Sequence, residues 1–82
     1  MASSVEEKVI EIIAEQLGQD KDTITRDTDI ANDLGADSLD LAELMIEFEE
    51  NFNLDIDEEV AQNISTVGAV IDHIEANIKK DE

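Results

Sequence analysis

Apolar residues return along this chain at helical intervals. Val5, Val9, Ile12, Ile13 and Leu17 step by three and four residues, with Ile10 on their flank, which is the spacing of one helix face. Ser3 with Glu6 and Ser4 with Glu7 make two overlapping capping boxes before that stripe, and Gly18 supplies its stop. A helix over about 4–17 is predicted. A second, over about 38–52, places Leu41, Leu44, Met45, Phe48 and Phe52 on one face at about 100° per residue. Asn51, Asn53 and Asp55 mark its end. Asp57 and the acids behind it open a short third helix over about 57–63. Ser65 or Thr66 caps a fourth, over about 66–79, whose stripe is Val67, Val70, Ile71, Ile74 and Ile78. Lys79 and Lys80 would complement its C-terminal dipole, and Asp81-Glu82 would fray.

Residues 18–36 make a connection of unusual length for a compact domain, and such connections are often functional. Ile24, Ile30 and Leu34 are its expected anchors in the core, with room for a short helical turn. The expected architecture is all-α: a four-helix, antiparallel-type bundle with a long first connection and a short third helix, one domain over residues 1–82.

The second helix carries more apolar residues than one face can use. Leu39, Ala42 and Ile46 form a smaller stripe well over 100° around the axis from the first, interleaved with Asp40, Glu43, Glu47 and Glu50. That stripe is either incidental exposure or a docking surface, and its carboxylate fringe favours docking by a basic, grooved partner.

Charge sharpens this picture. The formal net charge is −18, and no Lys or Arg stands between Arg26 and Lys79. Such a field repels phosphate backbones, which excludes nucleic-acid binding, and it steers basic protein surfaces into encounter. It also strains the compact state. An 82-residue chain buries roughly 60–65% of its extended surface. Without cysteine, and with Phe48 and Phe52 its only aromatics, it must build a thin aliphatic core. Acidic chains poor in aromatics tend to disorder, but the periodic Ile, Leu and Val argue for a fold of modest stability. No apolar run approaches the roughly 20 residues of a membrane span, and the first residues lack a secretory apolar stretch. A soluble, cytoplasmic monomer is expected, although a mature organelle protein would look the same.

The candidate chemistry sits where the long connection meets the second helix, in Asp33-Leu34-Gly35-Ala36-Asp37-Ser38-Leu39. Gly35 suits a left-handed turn, and Asp37 or Ser38 can cap the helix. If Asp37 is the cap, the Ser38 hydroxyl is left over, and the positive end of the helix would favour a phosphate on it. Hydrolysis is a poor alternative. The only histidine, His73, lies far along the chain, and Asp40 stands where a nucleophile elbow needs its second glycine. An EF-hand is absent too, because neither Asp20-Lys21-Asp22 nor Asp27-Thr28-Asp29 leads into the required ligand spacing. Weak divalent association with the acids is expected as screening, with no dedicated metal site.

Asp33-Leu34-Gly35-Ala36-Asp37-Ser38-Leu39-Asp40, the acidic helix behind it and Ile64-Ser65-Thr66-Val67 before the last helix together resemble the acyl carrier proteins over nearly the whole chain. The resemblance implies a 4′-phosphopantetheine arm donated by coenzyme A and attached to Ser38, with Asp37 beside the incoming basic phosphopantetheinyl transferase. The arm's thiol would hold acyl groups as thioesters, in a chain that itself has no cysteine. It implies that Leu39, Asp40, Ala42, Glu43, Ile46, Glu47 and Glu50 meet the transferase and the enzymes of fatty-acid synthesis through their basic patches. It also implies that the acyl chain shelters among Ile30, Phe48, Ile56, Ala61, Ile64 and Val70. Many relatives carry proline where this chain has Asp57, and both suit a helix start. Polyketide or other specialised carriers share the serine signature and form the second reading. An acidic docking or weak calcium-binding protein without a covalent group is the third.

If charge repulsion strains the fold, added sodium chloride or magnesium chloride raises the melting temperature. A melting curve that does not move with salt would mean the strain is negligible.

Overall fold

The computed structural model describes residues 4–78. Helix α1 spans Ser4–Leu17, α2 Ser38–Phe52, α3 Glu58–Asn63 and α4 Val67–Asn77. A single 3-10 turn, Lys21–Thr23, lies in the long connection. Helix α1 packs against both α2 and α4, and α3 packs against α2.

The apolar stripes become one core. Val9, Ile13, Leu44, Phe48, Val67, Val70, Ile71 and Ile74 are fully buried, and Ile24 and Ile30 of the connection join them. Leu34, Leu41, Phe52 and Ile78 pack against this core half-buried. Phe48 is the largest of the fully enclosed side chains, and removing such a ring from water is worth about 1.5–3 kcal/mol.

Several helix ends differ from the sequence expectation. Ser4 is already the first helical residue of α1, so it is not the cap of a Ser4–Glu7 box. Ser3, Lys79, Lys80, Asp81 and Glu82 lie outside the described residues. Helix α3 begins at Glu58, one residue later than expected, and Asp57 occupies the cap position without a side-chain hydrogen bond. Helix α4 begins at Val67 rather than 66, because Thr66 is the cap and its side chain accepts from the Ala69 N–H. It ends at Asn77 rather than 79, with extended backbone at Ile78.

The C-terminal stops are chemical. Gly18 takes φ +66°, and the Gln19 N–H closes back on the Ala14 carbonyl at 2.9 Å. Asn53 does the same for α2 at φ 55°, with the Leu54 N–H on the Glu49 carbonyl at 3.2 Å. Asparagine tolerates this left-handed region better than most residues. The Glu49 carboxylate then receives the Ile56 N–H at 2.8 Å, fixing the link to α3.

The long connection is stitched to the start of α4. The Gly68 N–H reaches the Arg26 carbonyl at 2.8 Å, the Val67 N–H reaches Thr28 at 3.0 Å, and the Ile30 N–H reaches Ser65 at 2.9 Å. Asp29 and Thr66 form an isolated antiparallel bridge between them. The two segments approach so closely that a Cβ on residue 68 would sit 3.0 Å from the Arg26 carbonyl oxygen and 3.3 Å from its Cβ. Alanine normally gains about 1 kcal/mol over glycine inside a helix. Here that gain is outweighed, because the oxygen it meets is held by the hydrogen bond it would disturb. Gly68→Ala should therefore lower stability by about 1–2 kcal/mol, measured as a reduced urea midpoint with an unchanged slope. A raised midpoint would show that the two segments can part freely.

Candidate functional site

The junction between connection and α2 is held by a reciprocal cap. The Asp37 carboxylate accepts the Asp40 N–H at 2.9 Å, and the Asp40 carboxylate accepts the Asp37 N–H at 3.2 Å. The Leu41 N–H takes the Asp37 carbonyl. Asp37, not Ser38, is thus the cap. Ser38 is the first helical residue, exposed, and its hydroxyl makes no hydrogen bond among the described residues. The amides of Ser38 and Leu39 are left as free donors beside it, as the first turn of any helix requires.

The approach to this junction is rigid for local reasons. The Asp29 carboxylate gathers the Ala31 and Asn32 N–H groups at 3.0 and 2.9 Å, and Asp33 accepts the Asp29 N–H at 2.8 Å. These bonds, chiefly the Asn32 amide, lower the Asp29 pKa below its ordinary carboxylate value. Gly35 sits at φ +72°, and Ala36 is buried with its N–H on the Ile30 carbonyl. Ser38 therefore leaves the core two residues after a buried anchor.

The outer stripe is exposed as the helical wheel requires. Leu39 is 67% and Ile46 51% accessible, and Ala42 is also exposed. Glu43 and Glu50 are exposed, while Asp40 and Glu47 are half-buried. Glu43 is not free to swing, since Gln16 of α1 donates to it at 3.0 Å. Glu47 turns toward a shallow groove between α1 and α2 that also takes in Lys8, Gln16 and Asn51. The six residues named for acyl shelter lie together in the core: Ile30, Phe48, Ile56, Ile64 and Val70 buried, Ala61 half-buried. His73 is half-buried on α4, its carbonyl receiving the Asn77 side chain at 2.7 Å.

Some contributors carry little signal in the sequence. Asp29-x-x-Asn32 and Asp33 read as loop polarity, although an Asx turn was latent in them. Nothing in the local pattern pairs Gln16 with Glu43, or Arg26 with Glu6 and Asp72. Arg26 reaches Asp72 at 2.6 Å and Glu6 at 3.6 Å, and the Asp72 hydrogen bond is the largest cause of its raised pKa. No group of acids and histidine among the described residues is arranged to hold a metal ion. No helix among them is long and apolar enough to cross a membrane.

Comparisons with known proteins agree with this geometry. Residues 7–74 match the profile of a family described as the phosphopantetheine attachment site. An acyl carrier protein of Porphyromonas gingivalis is 49% identical over 77 residues, covering 94% of this chain and 99% of that one. A Mycobacterium tuberculosis structure assigned as an acyl carrier protein superposes with a TM-score of 0.84 at 37% identity, covering 89% of this chain and 97% of that chain. The acyl carrier protein of Enterococcus faecalis gives a TM-score of 0.78 at 38% identity, covering 89% and 92%. With the profile matched across most of its length and a helical bundle shared with these structures, the chain belongs to the acyl carrier proteins, non-catalytic carriers built around a phosphopantetheine attachment site.

Proposed function

We propose that residues 1–82 act as one carrier domain in fatty-acid biosynthesis, bearing acyl intermediates as thioesters on a phosphopantetheine attached to Ser38. The observation that carries this reading is the exposed Ser38 hydroxyl, left without a partner among the described residues because Asp37 and Asp40 cap one another. The residues present fit the group. A phosphodiester on Ser38 would lie beside the free Ser38 and Leu39 amides at the positive end of α2, which offsets the nearby carboxylates. Nothing buried has to move to admit it, since the side chain already faces solvent.

When bound, the arm supplies a terminal thiol that holds the acyl group. The protein's own contribution is placement. Ala36, anchored on Ile30, fixes the approach; the Asp37–Asp40 pair fixes the first turn; and the hydroxyl projects from it. Among the described residues no base is hydrogen-bonded to that oxygen, and the one histidine of the chain, His73, stands on α4. Proton removal therefore falls to the transferase. Leu39, Ala42 and Ile46 offer such an enzyme an apolar strip, and Asp37, Asp40, Glu43, Glu47 and Glu50 a negative surround that attracts a basic face. Under this reading the acyl chain would shelter among buried Ile30, Phe48, Ile56, Ile64 and Val70 and half-buried Ala61, which lie in one apolar core. A cytoplasmic location belongs to the same reading, supported by the bacterial relative.

Incubation with coenzyme A, magnesium and a phosphopantetheinyl transferase should add the mass of one phosphopantetheinyl group, and Ser38→Ala should abolish the gain. An unmutated protein of unchanged mass would refute the attachment site. The product should then be malonylated and elongated by purified fatty-acid synthesis enzymes; loading without elongation would instead point to a specialised pathway. Glu43→Lys or Ile46→Glu should weaken binding to those enzymes at least tenfold, as loss of about 1.4 kcal/mol implies, with the helical circular dichroism unchanged. Undiminished affinity in both variants would make the outer stripe incidental.

A further inference from the structure

Arg26 is the last cation before Lys79 in a chain of net charge −18, and although it is exposed it is engaged on two sides. Its guanidinium spans two helices at once, 2.6 Å from Asp72 of α4 and 3.6 Å from Glu6 of α1. Its own carbonyl is the first rung of the ladder that holds the connection to α4, accepting the Gly68 N–H at 2.8 Å. The next rungs are Val67 to Thr28 and Ile30 to Ser65. From Ile30 the chain folds back so that Ala36 bonds to it, and Asp37 and Ser38 follow directly. The side chain and backbone of one residue thus clamp the segment from which the serine hangs.

We infer that Arg26 is an electrostatic latch, a positioning residue that keeps the Ser38-bearing connection ordered against α1 and α4. The inference rests on the reading of Ser38 given above for its functional half, and on contacts alone for its structural half. Its signature is a sign reversal. Between the like charges of the rest of the molecule salt screens repulsion; at this latch it screens an attraction between exposed charges, 43% accessible on the arginine and 70% on the Asp72 side chain. The ladder amides of Ile30, Val67 and Gly68, which open locally, should therefore exchange faster as salt is raised, while Ile13 and Phe48 of the core exchange more slowly.

Hydrogen exchange on the unmodified protein, with and without added sodium chloride, tests the structural half. Arg26→Met keeps the aliphatic stem and removes the charge. It should speed exchange at Ile30, Val67 and Gly68 by about twofold to fivefold at low salt, the range expected for exposed ion pairs, and abolish their acceleration by salt. Arg26→Lys should restore most of the protection. Unchanged ladder exchange in Arg26→Met overturns the latch, and Ile13 and Phe48 report whether any change is merely global. The functional half is read in transferase kinetics on the full chain. Arg26→Met should lower kcat/KM by a similar factor, chiefly through KM, because a loosened connection must be reordered on binding. Faster ladder exchange with unaltered kcat/KM overturns the positioning role. Absence of modification in the unmutated chain would count against Ser38 itself, and the exchange measurements would still decide the latch.

Discussion

Two carboxylates that satisfy each other at the start of α2 determine what the neighbouring serine can do. Asp37 takes the Asp40 amide, and Asp40 returns a bond to the Asp37 amide. A serine at a helix start ordinarily spends its hydroxyl on a cap. Here that duty has been moved one residue upstream, so the Ser38 oxygen has no partner among the described residues while its backbone already belongs to the helix. An attachment point for a long flexible group needs this combination of a rigid base and an uncommitted atom. The same turn leaves two amide donors unspent, which favours an anionic linkage over a neutral one.

The surroundings of that turn show how a thin core copes with a long connection. Nineteen consecutive residues, 18–36, would be a liability if they floated. Ile24 and Ile30 sink into the core, Asp29 and Asp33 organise a compact turn, and a short backbone ladder ties residues 26–30 to 65–68. The ladder is local in space and remote in sequence, so it couples the start of α4 to the serine. Gly68 is the residue that permits the close approach.

Electrostatics divide the molecule into two parts. Helix α2 presents Glu43, Glu47 and Glu50 around an apolar strip, an arrangement that raises the energy of the free protein and is relieved when a basic surface covers it. On the other side, Arg26 gathers Glu6 and Asp72, so that one positive charge is used to hold the fold. Under the function proposed above, counter-charges for the first surface would come from visiting enzymes.

The sequence by itself determined the four helices to within two residues at each described end, the buried faces of α1, α2 and α4, and the two-sided character of α2, because helical periodicity and capping chemistry are properties of neighbours along the chain. It also put Ser38 at a helix start and carried the family signature there. It left Asp37 and Ser38 as rival caps, and it placed Asp57 at the opening of the third helix, where the structure has it as the cap residue without a side-chain hydrogen bond. The sequence also named Ile24, Ile30 and Leu34 as anchors of the long connection, whereas only the tertiary structure decided the backbone ladder to α4, the bond from Gln16 to Glu43 and the bridging of two helices by Arg26. Those contacts join residues far apart in sequence, and which distant groups meet is fixed by how the helices pack, not by any spacing the chain displays.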